Sequence, residues 1–127
     1  MDAEELKKRT QIFALGIIKL VQSLPNQTST SILGRQLLNC STSVGANYRA
    51  ACRAKSGADF IAKLKIVEEE CDESIYWMEL LAAIQPVNAA SIAALIEEAN
   101  QILSIIVASI RTARVSIQNA KIVNRQS

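Results

Sequence analysis

One row of residues constrains this chain more than any other feature. Phe60, Leu64, Val67, Cys71, Ser74, Met78 and Leu81 recur at spacings of four, three, four, three, four and three. That is a strict heptad row, the seam of a helix that packs with a left-handed twist against neighbours in a bundle. A half-buried strand would instead alternate at every second residue. The 127 residues include only four Gly and two Pro, too few to punctuate the short strands of a sandwich or barrel. Half the residues are hydrophobic and 20% are charged, which argues against disorder. Aromatics make up 4%, so the core has to be built from Leu, Ile, Val and Ala.

Three further helices read from the same periodicity. The first spans about 3–24, with Leu6, Phe13, Ile17, Leu20 and Leu24 on one face and Pro25-Asn26 as its stop. The second spans about 31–54, with Ser29 or Thr30 as N-cap and a stripe of Leu33, Leu37, Cys40, Val44, Tyr48 and Ala51. It carries Gly34 and Gly45 in its interior, each costing about 1 kcal/mol relative to Ala. Ser41, Ser43, Ala46, Ala50 and Ala51 surround Gly45. Small residues gathered in this way predict close approach by a neighbouring helix. The third helix, 57–84, carries the heptad row. Gly57 suits the preceding turn, and Ser56 with Asp59 reads as its capping pair. The fourth spans about 89–119 behind Pro86 and an Asn88 cap, with 120–127 expected to fray.

Ile92, Leu95, Ala99, Ile102, Ile106, Ile110, Ala113 and Ile117 form the main stripe of the fourth helix. A second row of Ile96, Leu103, Ile105, Val107 and Val115 gives it more apolar surface than one intrachain face requires. Short loops make successive helices antiparallel. The expected fold is all-α, an antiparallel up-down-up-down four-helix bundle forming one domain over residues 1–127.

Several kinds of chemistry fall away. There is no histidine, which removes the commonest general base and metal ligand, every Ser-His or Cys-His pairing, and the Glu-x-x-His pairs of di-iron bundles. No glycine-rich phosphate motif occurs. Glu68, Glu69, Glu70, Asp72 and Glu73 are too crowded in sequence to face one way on a helix and read as a solvated face. Cys40, Cys52 and Cys71 are odd in number and form no C-x-x-C pair, so neither a disulfide framework nor a zinc site is expected. No enzyme, cofactor or metal is expected. No uninterrupted apolar stretch reaches about 18 residues, and the MDAEELKKRT start lacks a signal pattern. The expectation is a cytoplasmic protein without a membrane-spanning helix.

The net charge of +2 conceals an uneven layout. Residues 35–65 carry six bases against Asp59 alone, residues 66–100 carry eight acids and no base, and residues 101–127 carry four bases and no acid. Folded into an antiparallel bundle, Arg49, Arg53, Lys55, Lys63, Lys65, Arg111 and Arg114 share one pole with Lys7, Lys8, Arg9, Lys121 and Arg125. The acids are expected towards the other pole. The first seven are the candidate nucleic-acid contacts, since Lys and Arg gain phosphate affinity by releasing counterions. Basic helix ends that only complement helix dipoles are the alternative. No aromatic residue interleaves with these bases, so backbone contact is favoured over base stacking.

The segment Gln36-Leu37-Leu38, Ser41 to Tyr48, Asp59-Phe60-Ile61, Lys63-Leu64 and Glu70 to Leu81, with Asp72-Glu73-Ser74 and Tyr76-Trp77-Met78-Glu79-Leu80-Leu81, closely resembles a bacterial family. This four-helix-bundle family is named after the intervening sequence of 23S ribosomal RNA, within which some members are encoded. The strong part of the resemblance covers about residues 33–81. It implies a cytoplasmic bacterial bundle that assembles as a ring-shaped homopentamer. A related branch includes the accessory protein of diversity-generating retroelements, which partners a reverse transcriptase and binds nucleic acid through basic surfaces. No catalytic residue carries over. Many relatives have Arg where this chain has Asn39, so any contact made by that Arg is weakened here. Asn47 matches a motif position and reads as a buried amide closing a polar gap between helices.

Tyr76 and Trp77 are adjacent and cannot both face one core, which makes them the candidate oligomer interface. Two functional expectations result. One is a nucleic-acid-binding accessory bundle acting on RNA or DNA. The other is an oligomeric scaffold that docks a protein partner, such as a reverse transcriptase, without nucleic acid.

Overall fold

The computed structural model describes residues 1–126. Four helices run α1 (Ala3–Ser23), α2 (Thr28–Ala51), α3 (Gly57–Ile84) and α4 (Ala89–Gln126), with a 3-10 turn at Pro86–Asn88 before the last. Contacts link α1 to α2, α2 to α3, α3 to α4 and α4 back to α1, and among the described residues none joins the diagonal pairs. The helices therefore stand at the corners of a square, each antiparallel to the next. This is the four-helix bundle expected from the periodicity. The α2–α3 and α3–α4 contacts are the most extensive, and α1–α4 is the slightest.

The heptad row of α3 forms the spine of the core. Leu64, Val67, Cys71, Ser74, Met78 and Leu81 are all buried, and Phe60 is half-buried against them. Phe13 and Ile17 of α1, Leu37 and Val44 of α2, and Ile92, Ile102 and Ile106 of α4 close around that spine. Burying a side chain of this size contributes about 1.5–3 kcal/mol before the entropy of ordering it is subtracted. Cys40 and Cys71 are buried with the apolar residues, Cys52 is half-buried, and all three thiols are free.

The second row of α4 is largely absorbed. Ile96, Leu103 and Ile105 pack on the core, Val107 is half-buried, and only Val115 stands exposed. Because α4 lies between α1 and α3, it needs a wide apolar arc, and the surplus read from sequence is mostly intrachain packing. By length and composition α4 is also apolar enough to cross a membrane, contrary to the sequence expectation. Interspersed Asn100, Gln101 and Ser104 interrupt its apolar run without lowering the average enough to disqualify it. In the bundle its Ile92, Ala99, Ile102, Ile106 and Ile110 face the core.

Helix boundaries depart from the expectation in three places. α2 begins at Thr28 behind Gln27, not at 31 behind Ser29 or Thr30, and Gln27 makes no side-chain cap. Thr30 therefore becomes a buried first-turn residue. α2 ends at Ala51, short of 54. α4 continues beyond 119 to Gln126, so 120–126 are helical where fraying was expected, and Ser127 lies outside the described residues. The Ser56 cap of α3 is present, with its hydroxyl accepting from the Asp59 N–H at 3.1 Å.

Two glycines explain how the helices approach. A Cβ on Gly45 would sit 3.1 Å from the Thr10 hydroxyl of α1, so the small-residue patch of α2 receives α1. Thr10 is itself buried and was hidden in the seven-residue gap between Leu6 and Phe13. Gly57 has no positive φ, so its role is not the turn. A Cβ there would lie 3.0 Å from Ile117, which packs on the start of α3. Asn47 is half-buried and donates to the Ser43 carbonyl of its own helix at 2.8 Å, bridging no gap between helices.

Gly45→Leu is expected to lose about 1–3 kcal/mol through overpacking. Thr10→Ala in the same chain should recover part of that loss, because the two residues are in contact. Urea unfolding of the two single variants and the double variant measures the coupling.

Candidate nucleic-acid interface

The bases expected at one pole are at one end of the bundle, but they divide between two opposite flanks. Arg49, in the last turn of α2, shares a groove with Lys7 and Lys8 of α1. This groove holds about 700 Å³ and is floored by Gly45, Ala46 and Ala14. Across the square, Lys65 of α3 lines a smaller groove of about 140 Å³ with Arg111 and Arg114 of α4. Arg53 and Lys55 lie at the α2–α3 turn between the flanks. One straight backbone cannot touch all seven candidates.

Lys63 differs from the rest. Its ammonium donates to Asp59 Oδ1 at 2.6 Å, while the Lys55 N–H donates to Asp59 Oδ2 at 3.1 Å. These contacts, the Lys63 hydrogen bond above all, hold the Asp59 carboxyl below its ordinary pKa. Lys63 thus fastens the start of α3 and is a poor phosphate ligand. Lys65 is more loosely engaged, 3.6 Å from Glu68. Arg49, Arg53, Arg111 and Arg114 have no ion-pair partner among the described residues.

The acids do not gather at the far pole. Glu68, Glu69, Glu70, Asp72 and Glu73 lie at mid-height on α3, because 28 residues of helix put their middle near residue 70. Glu98 is drawn inward by Arg9, whose Nε and Nη2 donate to its two oxygens at 2.8 and 2.7 Å. Arg9 also donates to Gln101. The guanidinium expected at the basic pole therefore clamps α1 to α4, and its pKa is raised chiefly by the Glu98 hydrogen bond. The electrostatic picture is a basic end above an acidic waist.

The full length of α4 adds residues that were left out of the sequence-level site. Arg111, Arg114, Lys121 and Arg125 recur at three, seven and four, which keeps them within one face of the helix, about 80° wide, over about 21 Å of rise. Lys121 and Arg125 were expected at the basic pole but not among the seven candidate contacts. Continuing the α4 register beyond residue 119 would have recovered them. Ile117 still packs at Gly57, so the helix beyond it projects past the α2–α3 turn.

Tyr76 and Trp77 part as their adjacency demands. Tyr76 is 55% exposed, Trp77 packs partly on the core, and the rings meet edge to face with centroids 5.1 Å apart. A possible metal set was also hidden in sequence. Cys40, Glu70 and Glu73 bring their ligand atoms within 4.8 Å of one another. The thiol, however, donates to the Leu37 carbonyl at 3.4 Å and accepts from Ser74 at 3.3 Å. Burial pushes its pKa up, away from the thiolate that a metal requires.

With the bundle and its charged surfaces defined, comparisons with known proteins place the chain. A family model described as 23S rRNA-intervening sequence protein matches residues 4–108. The chain belongs to this 23S rRNA-intervening sequence protein family. A crystal structure from Bacteroides thetaiotaomicron VPI-5482, of a protein of unknown function from the S23 ribosomal protein family, is similar to it. The TM-score is 0.80 at 32% identity, over 87% of this chain and 99% of that one. No curated protein matches. The family match ends at residue 108, so the basic stripe of α4 lies beyond it.

Burial raises the Glu70 carboxyl pKa, and Glu73 and Glu69 raise it further. A carboxyl raised in the folded state binds protons more readily there than in the unfolded chain. Its contribution to stability is therefore fully present below the unfolded value and lost as pH rises through the folded one. Glu70→Gln should make the protein more stable at neutral pH, with the advantage vanishing as the wild-type carboxyl protonates. Urea unfolding of both proteins between about pH 4 and 7 tests the sign.

Proposed function

We propose that this chain is a nucleic-acid-binding accessory bundle that grips phosphate backbone through its basic end. The observation that carries this reading is the stripe of Arg111, Arg114, Lys121 and Arg125 on one face of α4, with Lys65 beside its start. No acid interrupts residues 99–127. Four like charges on one helix face repel one another, and a polyanion relieves that repulsion. Arg49 and Lys8 offer a second, separate contact on the opposite flank, where Lys7 is paired with Glu4 at 2.9 Å. The bases of the stripe are exposed, and no aromatic residue interleaves with them in sequence, which favours backbone contact on RNA or DNA without strong sequence preference.

A salt titration tests this reading. If the stripe contacts four phosphates of a single strand, log K should fall against log salt with a slope of about −3. Replacing Arg111, Arg114 and Lys121 by Gln should flatten the slope by about 2. An unchanged slope in that variant would sink the proposal for α4 and move attention to Arg49 with Lys7 and Lys8.

Self-association into a ring, with docking of a protein partner, is the second reading. Tyr76 favours it. A 55% exposed phenol ring braced edge-on against Trp77 is a rigid, amphipathic contact of the kind enriched at subunit interfaces. Tyr76→Glu is expected to lower the oligomer mass measured by light scattering. A monomeric wild-type protein at micromolar concentration would refute this second reading.

A further inference from the structure

Followed from side to side, the charges of the basic end form one curved track. It starts in the α1–α2 groove with Lys8 and Arg49. Arg53 comes four residues after Arg49, and Lys55 two residues later, on the turn that leads from α2 into α3. Consecutive Cα atoms are about 3.8 Å apart, so each step between these bases is short. The turn closes at Gly57, which packs on Ile117 of α4, and Ile117 lies between Arg114 and Lys121 of the stripe. Lys65 stands with Arg111 and Arg114 in the α3–α4 groove on the opposite flank. With Arg125 the track holds nine bases, all exposed. Among the described residues only Lys65 of the nine has an ion-pair partner, at 3.6 Å.

The track covers three sides of the bundle and does not close. Asp59, the acid nearest the turn, is held by Lys63 at 2.6 Å. On the α4–α1 side, Arg9 is engaged by Glu98, and α1 begins with Asp2, Glu4 and Glu5. A polyanion reaching both flanks therefore passes over the α2–α3 turn.

That route is sharply bent. Neighbouring helices in a bundle lie about 8–10 Å apart, and each is about 10–12 Å wide with its side chains, so this end is about 20 Å across. Duplex DNA bends by about 45° per helical turn even on a nucleosome, so doubling back takes about 40 base pairs of it, roughly 130 Å. A single strand, with no stacked partner strand, has no such stiffness.

We propose that the basic end takes single-stranded RNA or DNA, bent over the α2–α3 turn so that one strand contacts both flanks. This rests on the nucleic-acid reading and narrows its partner to an unpaired strand, since a duplex reaches only the stripe on α4. No aromatic residue interleaves with the bases in sequence, so the contacts are to phosphate and largely indifferent to base identity.

The probes are a fluorescein-labelled oligo(dT) of about 20 nucleotides, longer than one such track requires, and a duplex of the same length. Each is titrated with the full chain by fluorescence anisotropy between about 50 and 200 mM KCl. With nine contacts, log K for oligo(dT) should fall against log salt with a slope of about −6, and for the duplex, held by the four bases of the stripe, about −4. Replacing Arg53 and Lys55 by Gln leaves both flanks in place. It also spares the start of α3, because Lys55 holds Asp59 through its backbone N–H. The oligo(dT) slope should then flatten by at least about 1.4, with the duplex slope unchanged. An oligo(dT) slope of about −3 that the two replacements do not alter would overturn the bent track and leave the stripe as the whole site. A duplex slope that flattens with them would overturn it too. Failure of both probes to bind, even at the lowest salt, would remove the nucleic-acid reading and this inference with it.

Discussion

Burial of a single heptad row along α3 is the constraint on which the rest of the bundle depends. α3 contacts α2 on one side and α4 on the other, and these are the two most extensive contacts in the molecule. Leu64, Val67, Met78 and Leu81 can be covered only if both neighbours lie beside them along most of the length of α3, and the short loops make both neighbours antiparallel to it. That requirement aligns the end of α2 and the start of α3 with the end of α4, and so sets which charges share an end. The basic end is thus a consequence of core packing as much as of surface sequence. The acids of α3 fall at mid-height for the same reason.

The surface chemistry varies along this rigid frame. At the basic end, charges either find a local partner, as Lys63 does with Asp59, or stay unpaired, as Arg111 and Arg114 do among the described residues. At the waist, carboxylates crowd together, with Glu68 loosely engaged by Lys65, and Glu70 resists ionisation. At the far end, the entry to α2 leaves amides and a hydroxyl with unused donor capacity. These three zones differ in charge but share one scaffold.

The fold was legible because apolar periodicity survives in a single sequence. Every residue of the α3 row is buried or half-buried, as its spacing predicts. What failed to show were features decided by relations between helices. Thr10 is polar, and nothing in its own helix marks it as the counterpart of Gly45. The clamp between Arg9 and Glu98 joins residues 89 positions apart, so a count of charge by segment placed both wrongly. The α2 start was misread because Ser29 and Thr30 are good caps by type, whereas Gln27 has no such preference. The stripe on α4 was half-seen: Lys121 and Arg125 were placed at the basic pole, but their shared helix face with Arg111 and Arg114 depends on α4 continuing past residue 119. Family membership was legible from the motif between residues 33 and 81, while the surfaces around it required coordinates.

The slight contact between α1 and α4 has a dynamic consequence. Apart from the packing of α1 on α2, the Arg9 clamp and a narrow apolar contact hold α1 in place. Local opening in proteins follows such seams, with whole elements detaching as cooperative units before the remainder melts. α1 is the element most easily released, and α2, α3 and α4 would remain as a three-helix remnant around the α3 row. Such an opening would uncover Ile102 and Ile106 and leave Glu98 without its guanidinium. The chain thus has one weakly held wall, and the protection of its core is concentrated on α3.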